Sequence, residues 1–376
     1  MSWTRIEIDL DALAHNYHVL RERLSETSRI MAIVKSDAYG HGMIPVAKRL
    51  RAEGVRYFGV SKLWEALELR EAGITEPILV LLGVETSEIE LALENDIRVT
   101  VFREGIVKAI SQKAINYGKR AKVHVKVDTG MNRLGVPFRD SFDFLDKLKG
   151  YNGVEVCGLF SHFSVADEPS ESHRAFTREQ LNRFIAVSEY ARKIGLPIRY
   201  YHLANSAGLI DIPEAHFHLT RPGIALYGGY PSAHFTDIID LKPVMSLKTK
   251  VIHVKKIPSG EDIGYGRTYT TTKESIIATI PVGYDDGYSR LLSSKSEALV
   301  RGKRVPVVGR VSMNMITLDV SDVANVSVGD EVVLLGRQGN EQITGEELAE
   351  KCNTINYEIF CNLGSLKPKV FISSKE

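Results

Sequence analysis

Eight short apolar runs recur through the first two-thirds of the chain, and longer amphipathic stretches fill the gaps between them. The runs are RIMAIVK (29–35), YFGVS (57–61), PILVLLG (77–83), RVTVF (98–102), KVHVKVD (122–128), VEVCGLFSHF (154–163), YYHLANS (200–206) and HLTRPG (218–223). A strand covered on both faces reads as a continuous apolar run rather than an alternation. The stretches between, such as SKLWEALELREAG and TREQLNRFIAVSEYARKIG, read as helices. In the second, Leu181, Phe184, Ile185, Val187 and Ala191 recur close to a 3.6-residue period, and Gly195 and Pro197 stop it. Eight strands alternating with helices predict a TIM-like parallel (β/α)8 barrel.

The texture changes after residue 238. Helical periods fade, and alternating strands dominate in LKTKVIHVKKI, ESIIATIPVG, EALVRGKRVPVVGRVSMNMITLDV and DEVVLLG. Glycines and Asp/Ser clusters punctuate them. A chain of 376 residues is too long for one average domain. The expected organisation is a barrel over 1–238 and a mostly β domain over 239–376, with a boundary near DIIDLKP.

Charge and cysteine usage exclude several classes. The formal net charge is +1, which gives no bulk field for nucleic acid or an anionic membrane. Cys157, Cys352 and Cys361 are odd in number and far apart, so they make neither a disulfide framework nor a metal-ligand pattern. No stretch approaches 18 uninterrupted apolar residues, and MSWTRIEIDLDALAHNY is no signal peptide. A cytoplasmic protein without a metal is the expectation.

Function concentrates at the strand ends, because the C-terminal face of a barrel builds its active site. In MAIVKSDAYGHG the apolar run ends in Lys35. A lysine there can project into a dry mouth where desolvation favours the neutral, nucleophilic amine; it can equally cap the rim by snorkelling. Other strand ends carry Arg133 in KVDTGMNRLG, His162 in FSHF, Asn205 and Ser206 in HLANSAG, and Arg221 with Gly223 in RPGIALYG. Each has an ordinary alternative: a rim salt bridge, a satisfied core histidine, or a helix cap for Ser206. Jointly they describe an anion-and-ring site. Ser206 and the backbone N–H groups of Gly223 and Ile224 can hold a phosphate, and two arginines with a histidine remain to grip a planar ring.

In chain order, AIVKSDAYGHG, KVDTGMNRLG, HLANSAG, RPGIALYG, GYGRTY, PVGYDDGY, GRVSMN and NYE resemble the signature segments of bacterial alanine racemases. The resemblance covers nearly the whole chain, from IEIDLDALAHNY to INYEIFC. It implies a barrel plus β domain, a pyridoxal 5'-phosphate (PLP) cofactor, a homodimer with shared active sites, and interconversion of L- and D-alanine that supplies D-alanine for peptidoglycan. Carried onto matching positions, Lys35 would hold PLP covalently, while Tyr39, Ser206, Gly223, Ile224 and Tyr357 would bind or flank its phosphate. Asn205 would belong to the cofactor site as well. Arg221 would hydrogen-bond the pyridine nitrogen with His162 beside it. Arg133 would face the PLP phenolic oxygen and the substrate carboxylate. Lys126 matches a lysine often carbamylated in this family. Tyr265 would be the second base, entering from the other subunit together with Tyr284 and Met313.

The implied chemistry suits these residue types. Racemisation takes a proton from one face of the α-carbon and returns one to the other, so one base per face suffices: Lys35 for D-alanine and Tyr265 for L-alanine. An arginine cannot accept a proton, so the ring nitrogen beside Arg221 stays unprotonated, which disfavours transamination. Two departures stand out. Ser312-Met313-Asn314 replaces the family's Cys-Met-Asp, and SLKPKVF replaces its Arg-apolar-Pro-Arg ending. Alternatives at this stage are a serine or broad-specificity racemase, a PLP decarboxylase of the same barrel type (for which Arg221 is the wrong partner), and a non-catalytic PLP carrier, which would lack the domain bearing Tyr265.

Overall fold

The eight apolar runs become eight strands of one parallel sheet. From Leu219–Thr220 the order runs through Arg29–Ile33, Tyr57–Val60, Ile78–Val80, Arg98–Val101, Ala121–Asp128 and Val154–Phe160 to Tyr200–His202. Each neighbouring pair is parallel. The two end strands then meet: the His218 N–H donates to the Tyr201 carbonyl at 3.0 Å, and the Arg221 N–H to that of Ala204 at 2.9 Å. The sheet is thereby curled into a nearly closed barrel. The computed structural model describes residues 3–366 and 368–374. Lys367, within SLKPKVF, lies outside the described residues.

Some elements differ in extent from the sequence reading. The run PILVLLG yields only the strand Ile78–Val80, and HLTRPG only Leu219–Thr220. The helix expected from Thr177 starts at Glu171, because Ser170 caps it by accepting from the His173 N–H. Its first turn is polar and carries no apolar period. It ends at Lys193, and Gly195 follows in the left-handed region.

The second unit is mostly strand. One sheet runs Lys303–Pro306, Glu297–Val300, Glu331–Gln338, Met245–Lys250, Arg5–Asp9, Lys369–Ile372, and a three-stranded sheet joins His253–Ile257, Ser275–Ile280 and Ile316–Asp319. The chain's first strand is therefore not a barrel strand. Arg5–Asp9 pairs antiparallel with Met245–Lys250 and parallel with Lys369–Ile372. Its alternation explains the choice: Ile6 and Ile8 are fully buried while Arg5, Glu7 and Asp9 are not.

A helix of the second unit, Asn356–Leu363, seats directly on the residues that follow Lys35. A Cβ added at Gly40 would lie 2.4 Å from the Phe360 carbonyl oxygen and 2.9 Å from the Cα of Gly364, and Gly40 has φ +82°. Backbone meets backbone there, so only glycine fits. Gly40→Ala is expected to cost about 1–3 kcal/mol through overpacking and to lower the thermal midpoint followed by circular dichroism. Gly73→Ala is the control: Gly73 also has positive φ, but its Cβ would meet nothing within 4 Å.

Candidate active site

Lys35 stands two residues beyond the barrel strand Arg29–Ile33, at the start of an unusual turn. Ser36, Asp37, Ala38 and Tyr39 all have φ between 52° and 55°, a left-handed helical turn built from non-glycine residues. Such a conformation costs roughly 1–2 kcal/mol per residue, so other contacts must impose it. The segment KSDAYGHG supplies them. The Gly40 N–H donates to the Ser36 carbonyl at 3.0 Å and the Gly42 N–H to that of Asp37 at 2.8 Å. Asp37 Oδ1 accepts from the Met43 N–H at 2.7 Å, and its other oxygen pairs with Lys369 at 2.5 Å. His41 Nδ1 lies 3.0 Å from the carbonyls of both Ala38 and Tyr39, while its ring stacks on Tyr227. Burial holds His41 neutral, with a pKa of about 4, so its Nδ1–H is the donor.

The turn delivers Lys35 and Tyr39 into a cavity of about 620 Å³ at the C-terminal face of the barrel. Lys126, Arg133, His162, Asn205, Ser206, Arg221, Gly223, Ile224 and Tyr357 line the same cavity. Every barrel residue singled out from the sequence is there. Four of them are cations, and no carboxylate lines the cavity.

One corner is made of neutral donors. The Ser206 hydroxyl accepts from the Gly223 N–H at 3.0 Å and the Ala225 N–H at 3.4 Å. The Ile224 N–H between them has no hydrogen-bond partner among the described residues. A Cβ at Gly223 would sit 2.3 Å from the Tyr39 hydroxyl oxygen, so glycine there lets the phenol close over the loop. Burial pushes the Tyr39 and Tyr357 hydroxyls far above their ordinary range, and both remain protonated donors. Ser206 is not the helix cap considered above: Asn205 caps Ser206–Asp211 by accepting from the Gly208 N–H at 3.0 Å.

Arg221, 4% exposed, reaches the ends of two adjoining barrel strands. Nη1 donates to His202 Nδ1 at 2.8 Å. Nη2 donates to the carbonyls of Ser161 at 2.6 Å and Leu203 at 3.0 Å, and lies 3.2 Å from His162 Nδ1. None of these partners is charged, and burial pulls the guanidinium down to about 9. An arginine only donates. His202 Nδ1 must therefore accept, its Nε2 carries the proton, and that proton goes to His124 Nδ1 at 2.9 Å. Burial, then the Arg221 charge, keeps His162 and His202 well below the ordinary histidine range. Burial, then Arg98 and Arg221, does the same to His124. The chain from Arg221 to His124 thus has one direction.

Sequence reading missed His124 and His202. Strand parity could have found them: His124 stands two residues before Lys126, and on a strand i and i+2 share a face. His202 ends the Tyr200–His202 strand, directly before the loop that bears Asn205.

Two further cations crowd this site. Lys126, 8% exposed, has its ammonium 5.5 Å from the centre of the Phe160 ring, and the Arg221 guanidinium is 5.2 Å from the same ring. Burial, then Arg221 and Arg133, pulls the Lys126 pKa down to about 8. Burial, then Arg133, lowers that of Lys35. The loop of Arg133 is fixed by Asp128, whose carboxylate accepts from the N–H groups of Gly130, Asn132 and Arg133. The Arg133 side chain has no ion-pair partner among the described residues.

Tyr265, Tyr284 and Met313 are not in this cavity. They are 72%, 43% and 54% exposed on the second unit. Tyr284 and Met313 share one structure: the N–H groups of Tyr284 and Asp285 donate to the carbonyls of Ser312 and Met313, each at 3.0 Å. Tyr265 begins a separate turn between Gly264 and Gly266. The departures at 312–314 are locally satisfied. The Ser312 hydroxyl donates to the Met315 carbonyl at 2.7 Å, and the Asn314 amide reaches Asp285 at 3.5 Å. An aspartate at 314 would instead face the Asp285 carboxylate.

Family models of the alanine racemase N-terminal domain and C-terminal domain match residues 8–231 and 244–371. The chain belongs to the alanine racemase family. It is 51% identical over 370 residues to an alanine racemase of Syntrophobacter fumaroxidans, covering 98% of this chain and 97% of that one. An alanine racemase of Halothermothrix orenii is 44% identical over 98% of this chain and 96% of its own length. Among solved structures, the alanine racemase of Clostridium difficile 630 superposes with a TM-score of 0.94 at 37% identity, covering 100% of this chain and 97% of that one. The Bacillus anthracis enzyme with bound L-Ala-P gives 0.91 at 38% identity over 100% and 96%. Alanine racemases are PLP enzymes. The cavity fits that group: neutral donors in one corner for a phosphate, a buried Arg221 held by neutral acceptors, and a desolvated Lys35 amine.

Removing the His202 acceptor leaves one buried guanidinium arm unpaired, which costs about 1–3 kcal/mol. His202→Phe is expected to lower the denaturation midpoint accordingly and to weaken PLP binding, followed by the cofactor's absorbance during titration. Tyr190, on the outer helix, is the control: Tyr190→Phe should leave PLP binding unchanged.

Proposed function

We propose that this chain interconverts L- and D-alanine with PLP held at Lys35, and that it works as a cytoplasmic homodimer whose second unit (239–376) completes the partner's site. The observation that carries the reading is the cavity's charge. Four cations with no carboxylate call for anionic ligands, and a phosphorylated cofactor with an amino-acid carboxylate supplies them. Arg221 where a decarboxylase of this type needs an acid removes that alternative. Among the described residues no helix is long and apolar enough to cross a membrane, and no His/Cys/Asp/Glu group could hold a metal.

When bound, the pyridoxal ring supplies an electron sink for the carbanion left at the α-carbon. The rest falls to the protein. Tyr39, Tyr357, Ser206 and the N–H of Ile224 would bind the phosphate. Arg221, fixed by His202 and His162, would donate to the ring nitrogen and, having no proton to accept, would leave it unprotonated. Arg133 orients the substrate carboxylate. The Lys126 amine, with a pKa of about 8, is partly neutral near pH 7. It can take up carbon dioxide, forming an N–C bond and releasing a proton, and the resulting carbamate pairs with Arg133. Lys35, depressed by burial, moves the proton on the D-alanine face.

Tyr265 serves the other face. Its exposure, together with that of Tyr284 and Met313, fits residues awaiting a partner subunit. Borohydride reduction should fix PLP to a Lys35 peptide; an adduct on another lysine overturns the assignment. With saturating alanine, kcat should rise as pH rises through the Lys35 pKa, and its acid limb should lie below the ordinary 10.5 of a lysine.

Tyr265→Phe should keep cofactor loading and lose about 10²–10⁴ in racemisation rate, the range for a missing general base. Proton exchange from L-alanine should suffer more than exchange from D-alanine. Mixing inactive Lys35→Ala with inactive Tyr265→Phe should restore activity through heterodimers with one intact site. Parent rates in both directions for Tyr265→Phe would rule out the two-base assignment.

A further inference from the structure

Glu65 is a carboxylate buried to 1% exposure that the chemistry above does not use. It stands at the third position of the helix Leu63–Glu71 and accepts from the N–H of the capping residue Lys62 at 2.9 Å. A capping carboxylate needs no more than that. Here the same oxygen also takes the Ser61 N–H at 2.7 Å and the Ser61 hydroxyl at 2.6 Å. The other oxygen reaches away from the helix to the Ser36 N–H at 2.6 Å, across to the preceding barrel strand. Four donors satisfy the carboxylate, and it has no cationic partner among the described residues.

The Ser36 N–H is the first amide after Lys35 and opens the left-handed turn. A buried carboxylate holds a short, charge-assisted hydrogen bond more rigidly than water could. We propose that Glu65 is a positioning residue for Lys35: by gripping the Ser36 N–H it holds the strained turn and so fixes where the Lys35 amine stands in the cavity. This rests on Lys35 being the cofactor lysine. The groups that face that amine are Arg133, Lys126 and His162 from the barrel, Cys361 from the Asn356–Leu363 helix, Tyr39 from its own turn, and Glu65 itself, whose charge favours the ionised amine. Among these groups, Glu65 alone bonds to the backbone at the lysine.

Glu65→Gln discriminates between cap and grip. Its single carbonyl oxygen satisfies the three donors on the helix side, and its NH2 then confronts the Ser36 N–H, donor against donor. The holoenzyme is loaded with PLP and the fraction on Lys35 is counted by borohydride trapping. The expected result is a fall of about 10–100-fold in kcat per loaded site, of the size an ångström-scale misplacement brings, with KM within about threefold. The visible circular dichroism of bound PLP should weaken in parallel.

A capping role alone would lower the melting temperature and leave both readouts at parent values. A fall under tenfold, or an unchanged dichroism band, overturns the proposal. Glu65→Asp runs beside it, and replaces it if Glu65→Gln yields no folded holoenzyme: it keeps the charge that acts on Lys35 and withdraws from Ser36, so the same fall in kcat per loaded site is expected, and parent values in Glu65→Asp overturn the grip. Lys35→Ala runs alongside: a borohydride adduct in that variant refutes the cofactor lysine itself, whereas a Lys35 adduct with parent-like Glu65→Gln refutes only the grip.

Discussion

Positive charge gathered in a low-dielectric mouth is the constraint on which this molecule's architecture turns. Lys35, Lys126, Arg133 and Arg221 line one cavity whose wall carries no carboxylate; Glu65 and Asp128 act on the lysines only from behind it. Such charges repel, and burial makes each ionised form more costly. The protein answers in two ways. The lysines drop their pKa values, and Arg221 is surrounded by neutral acceptors: two carbonyls and two imidazoles. A carboxylate in place of His202 would have stabilised the guanidinium more, but it would also have neutralised the field that makes the cavity a receptor for anions. An anionic ligand that binds this native cavity and not the unfolded chain must stabilise the fold by mass action.

The second constraint is conformational. A left-handed turn of four side-chain-bearing residues does not hold itself. It is clamped from the barrel side by Glu65 and from the second unit by Lys369 and the Asn356–Leu363 helix. The same helix carries Tyr357 into the cavity from its first turn. Barrel and second unit are thus not a catalytic part with an appendage. The geometry of Lys35 depends on both.

The barrel was legible because its strands are buried on both faces and announce themselves as apolar runs; each of the eight became a strand. The candidate site was legible because barrel strand ends converge, so Lys35, His162 and Arg221 belong together on sequence grounds alone. Three things were hidden. The strand Arg5–Asp9 alternates as any half-buried strand does, and its partners lie hundreds of residues away. Glu65 reads as an ordinary helix cap, since its reach to Ser36 is tertiary. His124 and His202 look like core histidines until Arg221, which only donates, gives their hydrogen bonds a direction. SLKPKVF carried no assigned role, yet its Lys369 grips Asp37.

The placement of Arg5–Asp9 bears on how the chain is made. The barrel strands lie between residues 29 and 220, so the barrel can curl shut while synthesis continues. The strand Arg5–Asp9 is made long before its partners and must wait: one neighbour begins at Met245 and the other at Lys369. Its pairings are among the most distant in sequence that this chain can form, and long loops close late. Through that interval Ile6 and Ile8 stay unburied on an unpaired strand. That late seam brings Lys369 to Asp37, two residues beyond Lys35. A nascent molecule can thus own a barrel well before the turn that follows Lys35 is clamped from both sides.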